Sequence, residues 1–297
     1  MPTTSLADHL RALTDERLVA LFAARPDLAV PVPTDLSVLA QRAHTRMSVA
    51  RALDQLDRFE LEMLDALRLA AGEDDHRADR SAVLALLGPC PGPHLAAEAD
   101  RALDRLIELA LVWPVGTVLH LVGAVAEVSG YPAGLGRPVG RLVSGHTSAQ
   151  LAPVLDALHL PATRQPVAGA VLAEAFADPV RVRGLLERCP AEARSVVEKL
   201  ALGPPVGTVR DARRRLEASE PDGPIHWLLV HGLLVAVDED TVELPREVGL
   251  AARGEAPLGT LHPTPPEVPG KPVTLVDAAG AGQALEALRH TEALLDE

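Results

Sequence analysis

Apolar residues recur every three or four positions along most of this chain, and that spacing is typical of amphipathic helices. The first helix is predicted to begin at Ser5, because Ser5-Leu-Ala-Asp8 has the pattern of a capping box. Thr14, Thr34 and Ser48 precede the next apolar stretches, and each is predicted to cap a helix. The N-terminal part of the chain is therefore predicted to be a string of helices.

A first β-hairpin is predicted where the helical spacing gives way to Leu111–Leu121, with a turn at Pro114–Gly116. Before it, a short helix is predicted to begin at Ser81 and a stronger one at about Ala96. The charged segment 72–80 is predicted to be a loop. Two helices followed by a hairpin is the order of a winged-helix unit.

A second hairpin is predicted at Gly232–Leu244, with an acidic turn at 238–240 between its strands. A basic helix is predicted over 206–219 and a short apolar helix over 224–231. Further upstream, the same spacing predicts helices near 148–158, 167–176, 178–188 and 191–202.

The two predicted hairpins match each other in sequence. Ala110–Val115 aligns with Gly232–Val237, and Leu119–Leu121 aligns with Val242–Leu244. The match indicates an internal repeat of about 120 residues. Chance similarity between two ordinary helix–hairpin units is the alternative, and the sequence leaves it open.

These elements predict a mainly α fold with small β-hairpins, organised as a helical array plus two tandem winged-helix-like units. Residues 1–137 are predicted to hold the helical array and the first unit, and residues 138–253 the second unit. Residues 254–272, rich in Pro, Gly and Thr, are predicted to be a linker. Residues 273–297 are predicted to start a further, truncated segment, since their helix ends without a Gly or Asn cap.

The composition changes this picture in two ways. Aromatic residues make up only 2% of the 297 residues against 47% hydrophobic residues, so the cores must be built from Leu, Val and Ala. The net charge of -13 is unlike that of a typical free-standing nucleic-acid binder.

The N-terminus has no signal-peptide pattern and no apolar run approaches the roughly 20 residues of a membrane span, so a cytoplasmic protein without membrane contact is expected. The Ala/Arg/Pro/Val bias is typical of a GC-rich bacterial genome.

No motif for catalysis, a cofactor or a metal emerges from the sequence, so a non-enzyme without cofactor or metal is expected. The chain has no P-loop, no Gly-x-Ser-x-Gly and no His-Glu-x-x-His pattern, and Cys90 and Cys189 lack zinc-site spacing. Gly280-Ala-Gly282 resembles part of a dinucleotide site, but a Gly-rich turn before a helix is favoured. A solvated acidic turn at 238–240, with Glu243 beside it, is favoured over a cation site.

Two histidines, His226 and His231, lie close to Trp227 in the sequence. His226 and His231 are five positions apart on roughly opposite flanks of a helix, so ordinary core or interface histidines are favoured over metal ligands.

The candidate nucleic-acid contacts are Arg210, Arg213 and Arg214, which share one face of the predicted basic helix. Such a face can hold phosphates, although a solvated helix face is the alternative. The helix over 224–231 has no Lys or Arg and its hairpin turn is acidic, so the second unit is a poor conventional DNA reader. Winged helices without basic readers more often serve protein contacts.

Six stretches of the sequence carry a family resemblance: Asp8-His-Leu-Arg-Ala-Leu13, Leu18–Phe22, Arg25-Pro-Asp-Leu28, Arg51–Asp57, Leu119–Val125 and Tyr131–Arg137. They resemble actinobacterial helicase-associated proteins, described as XPB/Ssl2-like and carrying a helicase-associated conserved domain. The resemblance covers about residues 1–140 well and the rest loosely.

The resemblance implies a role in DNA repair or transcription, beside or within a helicase-type protein, and brings no catalytic residues with it. The expected function is a non-catalytic module that binds DNA, a partner protein or the remaining helicase-type domains. One alternative is a protein-interaction scaffold without nucleic-acid binding. Another is a winged-helix transcription regulator, against which the shortage of aromatic residues to line an effector pocket weighs.

Overall fold

The computed structural model describes residues 5–212, 223–264 and 278–295. It is mainly helical, with two small three-stranded antiparallel sheets. The chain divides into a large unit, Met1–Pro263, and a small one, Thr264–Glu297. In the small unit, helix α17 covers Ala278–Leu295.

Side-chain caps begin the N-terminal helices. Ser5 and Asp8 form the predicted capping box, and the Thr14 hydroxyl accepts from the backbone N–H of Arg17. The predicted cap at Thr34 is wrong by one residue, because Asp35 accepts the first N–H groups instead. These helices are α1 Leu6–Ala12, α2 Asp15–Ala24, α3 Pro26–Ala29, α4 Leu36–Ala43, α5 Arg46–Leu53 and α6 Arg58–Asp75.

The first sheet follows α6. The predicted loop at 72–80 is wrong, because α6 continues to Asp75 and a short strand then pairs with the hairpin. The predicted turn at Pro114–Gly116 is also displaced, since Val115 still pairs with Val118. The elements are β1 Arg77–Asp79, α7 Arg80–Ala85, α8 Pro93–Glu108, β2 Val112–Val115, β3 Val118–Leu121 and α9 Val125–Val128.

The described elements of the second half follow a similar order, with one helix described between its first strand and its hairpin. The predicted basic helix over 206–219 is wrong at its start, because Val206–Thr208 is a strand that pairs with the second hairpin. The elements are α10 Val139–Leu142, α11 Ser148–Ala157, α12 Val167–Ala177, α13 Pro179–Glu187, α14 Ala191–Leu202, β4 Val206–Thr208, α15 Gly223–Val230, β5 Val235–Ala236, β6 Thr241–Glu243 and α16 Arg246–Arg253.

The two sheets have the same topology and register. Their strand orders are β1-β3-β2 and β4-β6-β5. His120 of β3 lies between Arg77 and Trp113, and Glu243 of β6, aligned with it in sequence, lies between Val206 and Val235. The sequence match between the hairpins therefore extends to a third strand that was not predicted.

The helix that enters each hairpin also ends in the same way. Ala110 and Gly232, which align in sequence, have φ values of 53° and 66°. The next residue in each half donates its N–H to a carbonyl five positions back, over 3.1 Å after α8 and 2.9 Å after α15. This left-handed ending is a Schellman motif, and it turns each helix directly into a strand.

Gly232 is the more demanding of these two positions, and Gly232→Ala is expected to destabilise the protein by about 2–4 kcal/mol. An added Cβ would lie 3.0 Å from Cζ of Phe176 and 3.3 Å from Cγ1 of Val154, in a backbone conformation with φ +66°. Urea unfolding would measure the loss. Gly116→Ala is the control, because Gly116 has φ +64° with nothing within 4 Å of a Cβ. Equal losses in both variants would contradict crowding at Gly232.

Two hydrophobic cores lie in the large unit, one built from residues between Leu6 and Val125 and one from residues between Val139 and Val248. Leu, Val and Ala supply most of both, as the composition predicts. The beginning of the predicted linker packs on the first core through Leu258 and Leu261.

The segment 129–137 joins the halves and is held by both. Asp65 of α6 accepts from the Ala133 N–H over 2.7 Å, and Arg253 of α16 donates to the Ala133 carbonyl over 2.8 Å. Arg137 donates its backbone N–H and its guanidinium to Glu243, which is 1% exposed. The joint is therefore a hydrogen-bonded part of the fold.

Candidate functional site

The arginines predicted to contact phosphate are described only in part. Arg210 is exposed and lies in the turn after β4, where the Asp211 N–H donates to the Asp240 carboxylate over 2.9 Å. Arg213 and Arg214 lie outside the described residues. Because Arg210 belongs to a turn, its predicted place on a helix is wrong.

The largest of the cavities described has a volume of about 660 Å³ and lies between the end of α11, one face of α13 and the end of α15. It combines cationic, imidazole and indole side chains. Its lining comprises Ala157, Leu158, His159, Arg181, Gly184, Leu185, Arg188, Trp227 and His231.

Helix α13 supplies the cationic wall. It begins at Pro179 after Asp178, whose carboxylate accepts from the Val180 N–H over 2.9 Å. Positions separated by three, four and seven residues share one helix face, which brings Arg181 and Arg188 to the same side as Gly184. A Cβ on Gly184 would meet nothing within 4 Å, so this glycine leaves the space between the arginines open.

Arg181 is fixed by the end of α11. Its Nη2 donates to the Leu158 carbonyl over 2.6 Å, where the helix dipole favours a cation. Its Nε is buried and has no hydrogen-bond partner among the described residues. Buried donors are usually paired, so the protein leaves this guanidinium short of one acceptor.

His159 reaches the cavity from a left-handed backbone position with φ 53°. The Leu160 N–H donates to the Leu155 carbonyl over 2.8 Å, which ends α11 in a Schellman motif. Glycine usually occupies this position, because a side chain there costs about 1–2 kcal/mol. The cavity therefore has an imidazole at a backbone position that favours glycine.

Trp227 and His231 form the opposite wall, one helical turn apart at the end of α15. Their ring centroids are 3.9 Å apart and their planes are inclined by 20°. His231 Nδ1 lies 2.8 Å from the Trp227 carbonyl, which can only accept, so Nδ1 carries the proton. The half-buried indole of Trp227 is held by stacking on this ring.

The cavity is electropositive although the chain is acidic. No Asp or Glu is among its lining residues. Within the described ranges neither Arg181 nor Arg188 forms an ion pair, and Arg188 Nε donates only to the Gly184 carbonyl of its own helix, over 3.1 Å. An anion entering the cavity would therefore meet positive charge that no neighbouring carboxylate neutralises.

A second basic cavity, of about 340 Å³, lies at the joint between the halves, but its cations already have protein partners. Arg68 pairs with Asp65 over 3.1 Å, Arg137 pairs with Glu243 over 2.7 Å, and Arg246 Nε donates to a backbone carbonyl over 3.1 Å. Its arginines stabilise the joint, so the cavity beside α15 is the stronger candidate.

Other sequence features have different surroundings from those expected. Glu243 is buried against Arg137 and does not belong to a solvated acidic turn. Gly280 and Gly282 lie inside α17 and not in a turn, while residues 273–276 fall outside the described residues. His226 is buried, as favoured from the sequence.

The described ranges contain neither a metal-binding cluster nor a membrane-spanning helix. No group of three or more His, Cys, Asp or Glu side chains there is arranged to hold a metal ion. Likewise, no helix in that part of the chain has the length and apolarity needed to cross a membrane.

Comparisons with protein-family models, curated proteins and solved structures gave no significant match to this chain. By its structure, the chain is a mainly α protein with two small antiparallel sheets in matching register and a basic, tryptophan-bearing cavity in its second half.

Proposed function

We propose that this chain is a non-catalytic nucleic-acid-binding module with two winged-helix-like units, working beside or within a helicase-type protein in DNA repair or transcription. The observation that carries the proposal is the acid-free cavity beside α15, which combines Arg181, Arg188 and Trp227. Arginine suits phosphate oxygens, and an indole suits a nucleobase face.

The order of elements supports the winged-helix part of the proposal. In the first half, helix, strand, two helices and a hairpin follow each other, and the early strand pairs with the last one. The described elements of the second half follow the same order. In a winged helix, the helix before the hairpin makes the principal nucleic-acid contacts, and α15 holds that position.

The second unit is the better contact site of the two. In the first, α2 packs against α8, the corresponding helix, and helps to enclose a cavity of about 530 Å³ with it. The arginines of α8 also have acidic partners, Arg101 with Glu98 and Arg105 with Glu108. That helix therefore offers little free positive charge to phosphate.

Binding to labelled duplex and forked DNA across a salt series would test the proposal. We expect binding that weakens as salt rises, because bound phosphates release counterions. Arg188→Gln should weaken binding about threefold to tenfold and lower the salt slope by about one. Arg183→Gln is the matched control, since Arg183 is an exposed arginine of the same helix that does not line the cavity.

The combined change of Arg210, Arg213 and Arg214 to alanine would test the contacts proposed from the sequence. A loss of affinity there would add these arginines to the interface, and unchanged affinity would remove them from it. Absence of binding to either DNA at low salt would contradict the nucleic-acid function itself.

A protein-interaction scaffold is the second candidate. Val30 and Val32, between α3 and α4, are 77% and 85% exposed and flank Pro31, so this loop offers apolar surface to a protein partner. The net charge of -13 also favours a partner other than nucleic acid. Failure of DNA binding would leave this function as the better supported one.

A further inference from the structure

We infer that the cavity between α11, α13 and α15 takes a single unpaired nucleotide of a nucleic-acid strand, with its base against Trp227 and its phosphate at Arg181 and Arg188. The inference rests on the proposed function and narrows it to single-stranded or unpaired sites. It assigns a role to the stacked Trp227–His231 pair, for which the sequence favoured ordinary core or interface packing.

The shape of the site favours an unpaired base over a duplex. Reading duplex DNA requires a convex element that enters a groove about 12 Å wide. Here the basic and aromatic groups line a concavity of about 660 Å³, which is within the usual range for sites that enclose small ligands. A base enters such a space only when it is unpaired or turned out of its helix.

The chemistry of the walls matches the two ends of a nucleotide. Trp227 is already held by His231, with ring centroids 3.9 Å apart, so an incoming base meets an ordered aromatic group. On the other wall, Arg181 is fixed by the Leu158 carbonyl and lacks a partner for Nε within the described chain. A phosphate near it would supply the missing negative charge.

Gly184 gives the site a direct test, because it lies between the two arginines and faces open space. Gly184→Leu fills the cavity from a helical position where a side chain also raises helix propensity. It changes no charge, so it should exclude the nucleotide from the cavity without altering the long-range attraction of the protein for a strand. Gly184→Ala is the matched control, since one methyl group occupies little of the cavity.

Tryptophan fluorescence supplies the readout. The chain has two tryptophans, so in the Trp113→Phe background Trp227 is the only reporter. The probes are a single-stranded oligodeoxynucleotide and an abasic oligonucleotide with the same number of phosphates. We expect about tenfold or greater preference for the base-bearing strand, with quenching of Trp227. Anisotropy with the unchanged protein gives the same comparison if Trp113→Phe does not fold.

In Gly184→Leu, the preference for the base-bearing strand over the abasic strand should disappear, and Gly184→Ala should retain that preference. Equal affinity for both strands without quenching, while Arg188→Gln weakens both, would overturn the base site and leave the proposed function intact. Binding of neither strand would overturn both. A free mononucleotide that binds as tightly as the strand would show an effector pocket and also overturn the inference.

Discussion

Replacing Asp27 with asparagine is expected to destabilise the protein by about 3–5 kcal/mol, because it leaves the guanidinium of Arg25 buried without its counter-charge. Arg25 is 0% exposed, and Asp27 is 7% exposed at its side chain. The pair is bidentate, with N–O distances of 3.0 and 3.1 Å. Breaking a buried pair on one side costs far more than losing a surface pair.

The guanidinium also ties three parts of the first half together. It donates to the carbonyl of Leu109, at the end of α8, over 2.8 Å and to that of Ser48, in α5, over 2.9 Å. The Ser48 hydroxyl donates in turn to Asp27. Ser48 was predicted to cap a helix, and that prediction is wrong, because Thr45 precedes α5 and Ser48 is buried within it.

Urea unfolding would measure the effect, with two comparisons. Arg25→Met combined with Asp27→Leu should lose less stability than the sum of the single changes, since no charge is left buried. Glu108→Gln removes the surface pair with Arg105 and should cost far less than Asp27→Asn. An Asp27→Asn variant as stable as the unchanged protein would contradict the role given to this cluster.

The same cluster predicts a pH dependence. Burial alone raises the pKa of Asp27, but hydrogen bonds from Arg25 and Ser48 and the charge of Arg25 outweigh it, so the pKa is lowered. A lowered folded-state pKa gives stability that is fully present above the unfolded value, near 3.9, and is lost as pH falls through the folded value. The difference between Asp27→Asn and the unchanged protein should therefore be larger at pH 7 than at pH 3.

Gly136→Ala is expected to have the second large effect, about 3 kcal/mol or more, because a Cβ there would overlap the backbone oxygen of Leu244. It would also lie 3.2 Å from Oε1 of Glu243, which accepts from Arg137. The backbone oxygen of Leu244 cannot rotate away from the added Cβ as the end of a flexible side chain would. Either the segment 129–137 or the chain at the end of strand β6 must therefore move.

Thermal unfolding would measure the loss, and hydrogen exchange would locate it. We expect reduced protection on both sides of the joint, since each half holds this segment. Gly130→Ala is the matched control in the same segment, because a Cβ there meets nothing within 4 Å. Unchanged stability of Gly136→Ala would mean that the two backbones do not approach each other this closely.

Helices long enough to show apolar residues at helical spacing were predicted well from the sequence. The helix over 191–202 was predicted with the bounds that α14 has, and the helix over 167–176 ends one residue later, at Ala177. Strands β1 and β4 were not predicted, because three residues are too few to show an alternating pattern. Each forms by pairing with a strand that is distant in the sequence, β1 with β3 and β4 with β6. Period and composition cannot reveal such an edge.

The candidate site was harder to predict, because its walls come from distant parts of the chain. Trp227 and His231 are close together in the sequence. Arg181 and Arg188 belong to a segment that was predicted to be a helix but was given no role in a site. A usable signal was available over residues 179–188, which hold three arginines and a single acidic residue, Glu187. Arg210 was placed on a predicted helix that begins instead with β4 and a turn, and Arg213 and Arg214 lie outside the described residues.

The two halves have sheets of the same register, but their arginines have different surroundings. The first copy keeps a buried ion pair at its centre, in Arg25 and Asp27, and covers its hairpin helix with α2. The second copy leaves Arg181 and Arg188 without acidic partners in the described chain. None of the residues that line the cavity belongs to a strand, so the cavity can be altered on its helices without changing either sheet, which makes this protein a natural host for grafted binding sites.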